Sequence, residues 1–138
     1  MKDSYCLDAC ALIAFLCDEQ GADVVEQLLV EAERKNISLI MHRINLLEVY
    51  YGIEKSEGKS RADEIFKSIY ELPIALIDKI NDRIFFTASY FKSNYRLSLA
   101  DAIALATSKT RKAKLVSSDH HEFDILERNN EINTKWIR

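Results

Sequence analysis

The sequence predicts an α/β domain: a mostly parallel sheet of five strands with helices on both faces. Three observations predict it. Short β-rich apolar runs alternate with longer segments whose apolar residues recur at helical spacing. Only 3 glycines and 1 proline punctuate 138 residues, so connections are short and regular elements dominate. Strands separated by helices pair through parallel crossovers, which cover both faces of the sheet.

Taken in order, Tyr5 to Leu7 reads as a short buried strand, and Ala9 to Cys17 continues as a helix. Val24, Val25, Leu28, Leu29 and Ala32 mark an amphipathic helix from about Ala22 to Arg34. Ile37 to Met41 is a β-rich run. Leu46, Leu47, Tyr50 and Ile53 repeat at helical spacing, as do Ile65, Phe66, Ile69 and Leu72, until Pro73 stops that helix. Ile74 to Ile77 is a four-residue strand. Ile80, Ile84, Ala88 and Phe91 mark the next helix, with Asp78 as its expected cap, and Leu99, Ala102, Ile103 and Ala106 mark another. Lys114 to Ser117 and Thr134 to Ile137 are the last strands.

Composition narrows the class. A 15.9 kDa chain that is 48% hydrophobic and 30% charged is a globular mixture, expected to form one domain over residues 1–138. The longest apolar run, Ala9 to Cys17, is too short to span a bilayer, and Asp3 stands where a signal peptide is basic. The expectation is a cytoplasmic protein with no membrane contact. Cys6, Cys10 and Cys17 make an odd count on one short segment, which is no disulfide framework; they read as reduced core thiols. His42, His120 and His121 form no zinc spacing with them and read as surface or loop residues, with an RNA contact open to the pair beside Asp119. Trp136 reads as core.

Net charge is −3, but unevenly spread. Residues 1–69 carry 8 basic and 13 acidic side chains, net −5, and residues 70–138 carry 11 and 9, net +2. Part of that excess is the tract Lys109, Arg111, Lys112, Lys114. It reads as a solvated helix end or, beside a phosphate-handling site, as a nucleic-acid contact.

In parallel α/β sheets ligands bind beyond the carboxyl ends of the strands, where strand order reverses. Asp8 follows the first strand, and Asp119 closely follows the fourth. Glu48 and Asp101 lie in early turns of helices that open at the same edge. Each has an ordinary explanation as part of a helix cap, including the capping-box patterns Asn45-x-x-Glu48 and Ser98-x-x-Asp101. Caps accept Ser, Thr, Asn or Gly equally well, so carboxylates at all four places call for a further reason. Unneutralised, they repel and some take up protons. Hard divalent cations such as Mg²⁺ bind through a few carboxylates plus substrate phosphate. Two such ions about 4 Å apart activate water and stabilise the leaving oxygen of a phosphodiester. The basic tract would then hold flanking phosphates.

At this point the sequence resembles a known family, the PIN domains, and within them the VapC toxin ribonucleases of toxin–antitoxin pairs. The matching segments are Tyr5-Cys-Leu-Asp-Ala-Cys-Ala-Leu12, Ile44-Asn-Leu-Leu-Glu-Val-Tyr-Tyr-Gly52, Leu97-Ser-Leu-Ala-Asp-Ala-Ile-Ala-Leu-Ala-Thr107 and Leu115-Val-Ser-Ser-Asp-His-His-Glu-Phe123. The resemblance implies a five-stranded parallel sheet of order 3-2-1-4-5 and a Mg²⁺- or Mn²⁺-dependent endoribonuclease. It maps the acidic ligands onto Asp8, Glu48, Asp101 and Asp119, with Glu122 or Asp124 able to share the fourth role. Two places depart from the family. Cys10 stands where Ser or Thr is usual and is a weaker donor; Ser117 replaces Thr and keeps the hydroxyl. The resemblance also implies a VapB-like antitoxin lying across the toxin groove, and a homodimer. For the latter, Val49 and Tyr51, and Phe86 and Tyr90, stand off the apolar stripes of their helices.

Two other readings stand beside this one. An inactive PIN-like binding module would keep the fold without the chemistry, and the intact acidic positions argue against it. A receiver-type phosphoacceptor domain needs an acidic cluster after strand one and a Lys-Pro after strand five, and neither is here. Nucleotide-binding folds would need a Gly-rich phosphate loop, which is missing.

Overall fold

In the computed structural model, which describes residues 2–138, strands and helices alternate as the sequence predicts. They run β1 (Asp3–Leu7), α1 (Ala9–Leu16), α2 (Ala22–Glu33), β2 (Ile37–His42), α3 (Arg43–Glu57), α4 (Lys59–Ile69), β3 (Ala75–Ile77), α5 (Asp82–Asn94), α6 (Leu99–Thr110), β4 (Lys114–Ser117), α7 (His120–Arg128) and β5 (Thr134–Trp136). The five strands form one sheet of order β3-β2-β1-β4-β5, and every pairing is parallel. Strand order reverses at β1, between β2 and β4, so the switch point lies where β1 and β4 end.

Alternation along the strands divides the core in two. Leu7, Leu39, Met41 and Val116 face one layer, packed with Leu12, Val25, Leu46, Val49 and Ile65 of α1 to α4. Cys6, Ile40, Ile77 and Leu115 face the other, packed with Ile84, Phe91, Leu105, Phe123 and Leu126 of α5 to α7. No helix among the described residues is long and apolar enough to cross a membrane.

Several local expectations are corrected. Helix α3 starts at Arg43 with His42 as its cap, so Asn45 is the helix's third residue and opens no capping box. His42 is buried and not a surface residue. Its Nδ1 accepts from the Ile44 N–H at 3.0 Å, so Nε2 carries the proton and donates to the Lys79 carbonyl at 3.0 Å. Helix α5 is capped by Asn81, whose side chain accepts from the Ile84 N–H. Asp78 and Ile80 therefore lie in the preceding loop, and Ile80 is exposed. Val49 belongs to the core, while Leu47 is exposed. The reason is a small phase error: the buried stripe of α3 is Asn45, Leu46, Val49 and Ile53, one step round from the predicted one. Cys6 is a core thiol, but Cys10 and Cys17 are exposed. Trp136 is only half-buried, because β5 is an edge strand.

Candidate active site

Asp8 is the first residue beyond β1. Its extended backbone (φ −89°, ψ 179°) lets the side chain turn back over the start of α1, where it accepts from the Ala11 N–H at 2.8 Å. Its other oxygen accepts from the Ser117 hydroxyl at 2.5 Å. Ser117 Oγ in turn accepts from the Asp119 N–H at 3.0 Å, so one hydroxyl ties the end of β1 to the turn after β4. Asp8 is almost completely buried. Burial pushes its carboxyl up to about 7; the Ser117 and Ala11 hydrogen bonds oppose the rise, and the charges of Asp101 and Asp119 add to it.

The other carboxylates come from three helices. Asp119 caps α7, accepting from the Glu122 N–H at 3.1 Å. Asp101 is the third residue of α6, and its N–H donates to the Ser98 hydroxyl at 3.1 Å, so Ser98 is the cap the sequence predicts. Burial raises Asp101 to about 6, against a Ser98 hydrogen bond, with Glu48, Asp119 and Glu122 raising it further. Glu48 is raised by burial and held down by a hydrogen bond from Asn45.

Cys10 lies within electrostatic reach of all four. Although the residue is exposed at its surface, partial burial of the thiol and then Asp8, Asp119, Asp101 and Glu48 push it up to about 12, so it stays protonated. None of the four carboxylates takes part in a salt bridge among the described residues. Nor, among those residues, does any group of three His, Cys, Asp or Glu side chains form a ready-made metal cage. The four carboxylates share one edge of the sheet without closing on a common centre, which leaves room for a cation that keeps part of its water shell.

Glu122 belongs to this cluster through its action on Asp101, whereas Asp124 turns away to His120 at 2.8 Å. The basic tract does not border the acidic edge. Helix α6 starts at the carboxyl edge with Asp101 and runs back antiparallel to the strands, so Lys109, Arg111, Lys112 and Lys114 come out at the amino edge. There Lys109, Lys112 and Lys114 line a cavity of about 540 Å³ with Lys2 and Asp3, at the start of β1. Lys109 is also drawn to Glu131, at 3.8 Å. The predicted basic rim is thus on the far side of the sheet.

Asn45 was missed as a site residue. It is fully buried, its Nδ2 donates to the Ala100 carbonyl at 3.0 Å, and its Oδ1 has no partner. It links α3 to α6 between Glu48 and Asp101. The signal was present: an Asn at position 45 shares the helical stripe of Val49 and Ile53, where a polar residue is out of place.

A sequence model of the PIN domain matches residues 5–129, most of the chain. The chain belongs to the PIN domain family. Its fold also resembles solved structures. A chain of a DNA-bound VapBC from Salmonella typhimurium superposes with a TM-score of 0.75 at 16% identity, covering 100% of both chains. VapBC2 from Rickettsia felis, bound to a promoter DNA fragment, gives 0.72 at 17% identity over 96% of this chain and 98% of that one. A toxin–antitoxin complex from Klebsiella pneumoniae gives 0.62 at 23% identity, over 86% and 89%. At such identities the likeness is one of fold. Among curated proteins, none matches this PIN domain's sequence.

Proposed function

We propose that this PIN domain is a divalent-metal-dependent endoribonuclease, the VapC-type toxin of a type II toxin–antitoxin pair. The observation that carries the proposal is that Asp8, Glu48, Asp101 and Asp119 all act on Cys10 at one edge of the sheet, and that none of the four takes part in a salt bridge among the described residues. The donor set fits a hard cation: oxygen ligands in excess, two of them held well above the ordinary carboxylate range. Asp8, Asp101 and Asp119 would hold Mg²⁺ or Mn²⁺, and Glu48 would join them or orient the attacking water. Bound there, the cation would neutralise the carboxylates, make water acidic enough to attack, and stabilise the leaving oxygen.

The chain's own groups do the rest. Ser117 fixes Asp8 against the turn carrying Asp119, so two carboxylates from different strands keep one spacing. Helices α1, α6 and α7 all start at this edge, and their positive ends favour a phosphodiester there. Glu48, with its raised affinity for a proton, suits a group that receives one from water. In-line attack by water leaves 5′-phosphate and 3′-hydroxyl ends. The partners follow from the same reading. A VapB-like antitoxin is supported by the fold neighbours, which are VapBC complexes. A homodimer is supported by Tyr51, Phe86 and Tyr90, which are all exposed.

The test is cleavage of single-stranded RNA by purified protein, with the product ends mapped. Cleavage that needs Mg²⁺ or Mn²⁺, stops with EDTA and is lost in Asp8→Asn is the expected result. Products ending in 2′,3′-cyclic phosphate would refute the mechanism, because they arise from attack by the RNA's own 2′-hydroxyl.

A further inference from the structure

His120 and Trp136 form a structure that the four carboxylates do not use. Their rings are parallel, with centroids 3.8 Å apart and 15° between planes. His120 Nδ1 is bonded to Asp124 Oδ1 at 2.8 Å, and Nε2 to the Arg138 carbonyl at 2.8 Å. Trp136 is itself fixed, donating through Nε1–H to Glu127 Oε1 at 3.2 Å. Both partners only accept, so both bonds are made when the ring carries a proton on each nitrogen; the imidazolium is then held at both nitrogens and on one face, yet its side chain is 47% exposed. With one face on Trp136 and both nitrogens bonded, the opposite face is the ring surface that these contacts leave open. An exposed side chain ordinarily keeps its rotamer freedom, and ordering it carries an entropic penalty. Here three contacts hold a flat ring still in front of solvent.

The location gives this a use. His120 directly follows Asp119, and Arg138 lies just past the carboxyl end of β5. The ring therefore stands on the same edge as the four carboxylates. Strand β5 is two places from β1, about 10 Å at ordinary strand spacing. That offset suits the nucleotide beside a phosphodiester held at Asp8, and not the bond that is cut. Single-stranded RNA is recognised largely by laying unstacked bases on rings of this kind, His included.

We propose that His120, backed by Trp136, is a stacking plate for one unpaired nucleobase flanking the scissile phosphodiester. The proposal rests on the nuclease reading above and adds to it a positioning residue and a substrate requirement. A plate reads the π-face of a base and not its edges, so it accepts any base but demands that the base be unstacked. The same contacts tie the chain's tail to α7, and a purely structural tie would be indifferent to RNA.

The experiment uses full-length Asp8→Asn protein with Mg²⁺, which binds without cutting. Its probes are single-stranded RNA oligonucleotides, each with one abasic position. We expect one position at which base removal weakens binding about tenfold, a typical stacking effect. With His120→Ala added, that penalty should fall below about twofold; with His120→Phe, which keeps a flat ring without either hydrogen bond, it should return. Trp136 is the only tryptophan. Its fluorescence should therefore change on binding the intact oligonucleotide and not the one abasic at that position. Equal abasic penalties with and without the ring, or no sensitive position at all, overturn the plate. If the wild type still cleaves RNA in that case, the nuclease reading stands and the plate alone falls. No cleavage by the wild type and no binding of any oligonucleotide would remove both.

Discussion

Replacing Asp8 by Asn should stabilise the metal-free protein at alkaline pH and not at acidic pH. The argument starts from burial. A carboxyl moved from its ordinary 3.8 to about 7 binds its proton about 4 kcal/mol more tightly in the folded chain than in the unfolded one. Because the folded-state value is raised, the stabilisation is complete below pH 3.8 and is lost as pH rises to 7, where the ionised group must stay in a buried site. Between pH 5 and pH 8 the wild type should lose about 3 kcal/mol through Asp8 alone. Asn cannot ionise, so it loses nothing over that range. It still caps α1 by accepting from the Ala11 N–H, for which Asn is as good as Asp. The Ser117 hydroxyl loses its acceptor, at about 1 kcal/mol, and that term does not depend on pH.

The assay is urea unfolding of both proteins in EDTA at several pH values from 5 to 8. The stability of Asp8→Asn relative to wild type should rise by about 3 kcal/mol across the series, or roughly 10 °C in melting temperature for a domain of this size. His120, held above its usual value by its bonds to Arg138 and Asp124, and His42, held below by burial, are common to both chains and cancel in the difference. Asp101, raised to about 6, titrates in the same window and its charge acts on Asp8, so the difference contains that coupling as well as the burial of Asp8. Saturating Mg²⁺ should flatten the wild-type curve, since a cation favours the ionised carboxylate. Parallel curves for the two proteins in EDTA would refute the reasoning, because they would mean that Asp8 ionises inside the fold as easily as in water.

Further outcomes follow from the same geometry. Asp101→Asn should abolish cleavage yet cost no more than about 1 kcal/mol in EDTA, the scale of a cap change. Its melting temperature should rise less with Mg²⁺ or Mn²⁺ than that of the wild type, and equal rises would make Asp101 a cap only. Ser117→Ala removes the donor to Asp8 and the acceptor for the Asp119 N–H, so chemical unfolding should show a loss of about 1–3 kcal/mol, with weaker metal binding at neutral pH. Replacing Lys109, Lys112 and Lys114 together by Ala should leave RNA cleavage rates within twofold, since the tract emerges at the amino edge; a large loss would place RNA across both edges. Light scattering at micromolar concentration should give a dimer mass, and Tyr51→Glu combined with Phe86→Glu should halve it.

Which features could be read from the chain depended on how far the relevant contact reaches. The alternation of strands and helices follows from local periodicity, whereas the strand order was what the family resemblance implied; β4 was read to the residue because Lys114 to Ser117 is followed at once by a polar turn. The caps Asp8, Ser98 and Asp119 were legible for the same reason, since a cap bonds only two or three residues onward. Errors entered where a neighbouring element decides. The cap on α3 is a histidine held by Lys79, 37 residues away, and nothing near His42 announces it. The misplaced basic rim is different, because the information to avoid it was present. A 12-residue helix is about 18 Å long, so Asp101 and Lys109 on one helix of a parallel α/β fold must approach opposite edges of the sheet. Reading charge along the sequence set the carboxylates and the lysines side by side; reading it through helix length would have separated them. The acidic edge then has no basic border from that tract, so on the nuclease reading proposed above a divalent cation would be what lets an RNA strand approach it. On the same reading the burden of holding the RNA would fall on groups at the carboxyl edge itself, where the fixed ring of His120 stands next to Asp119.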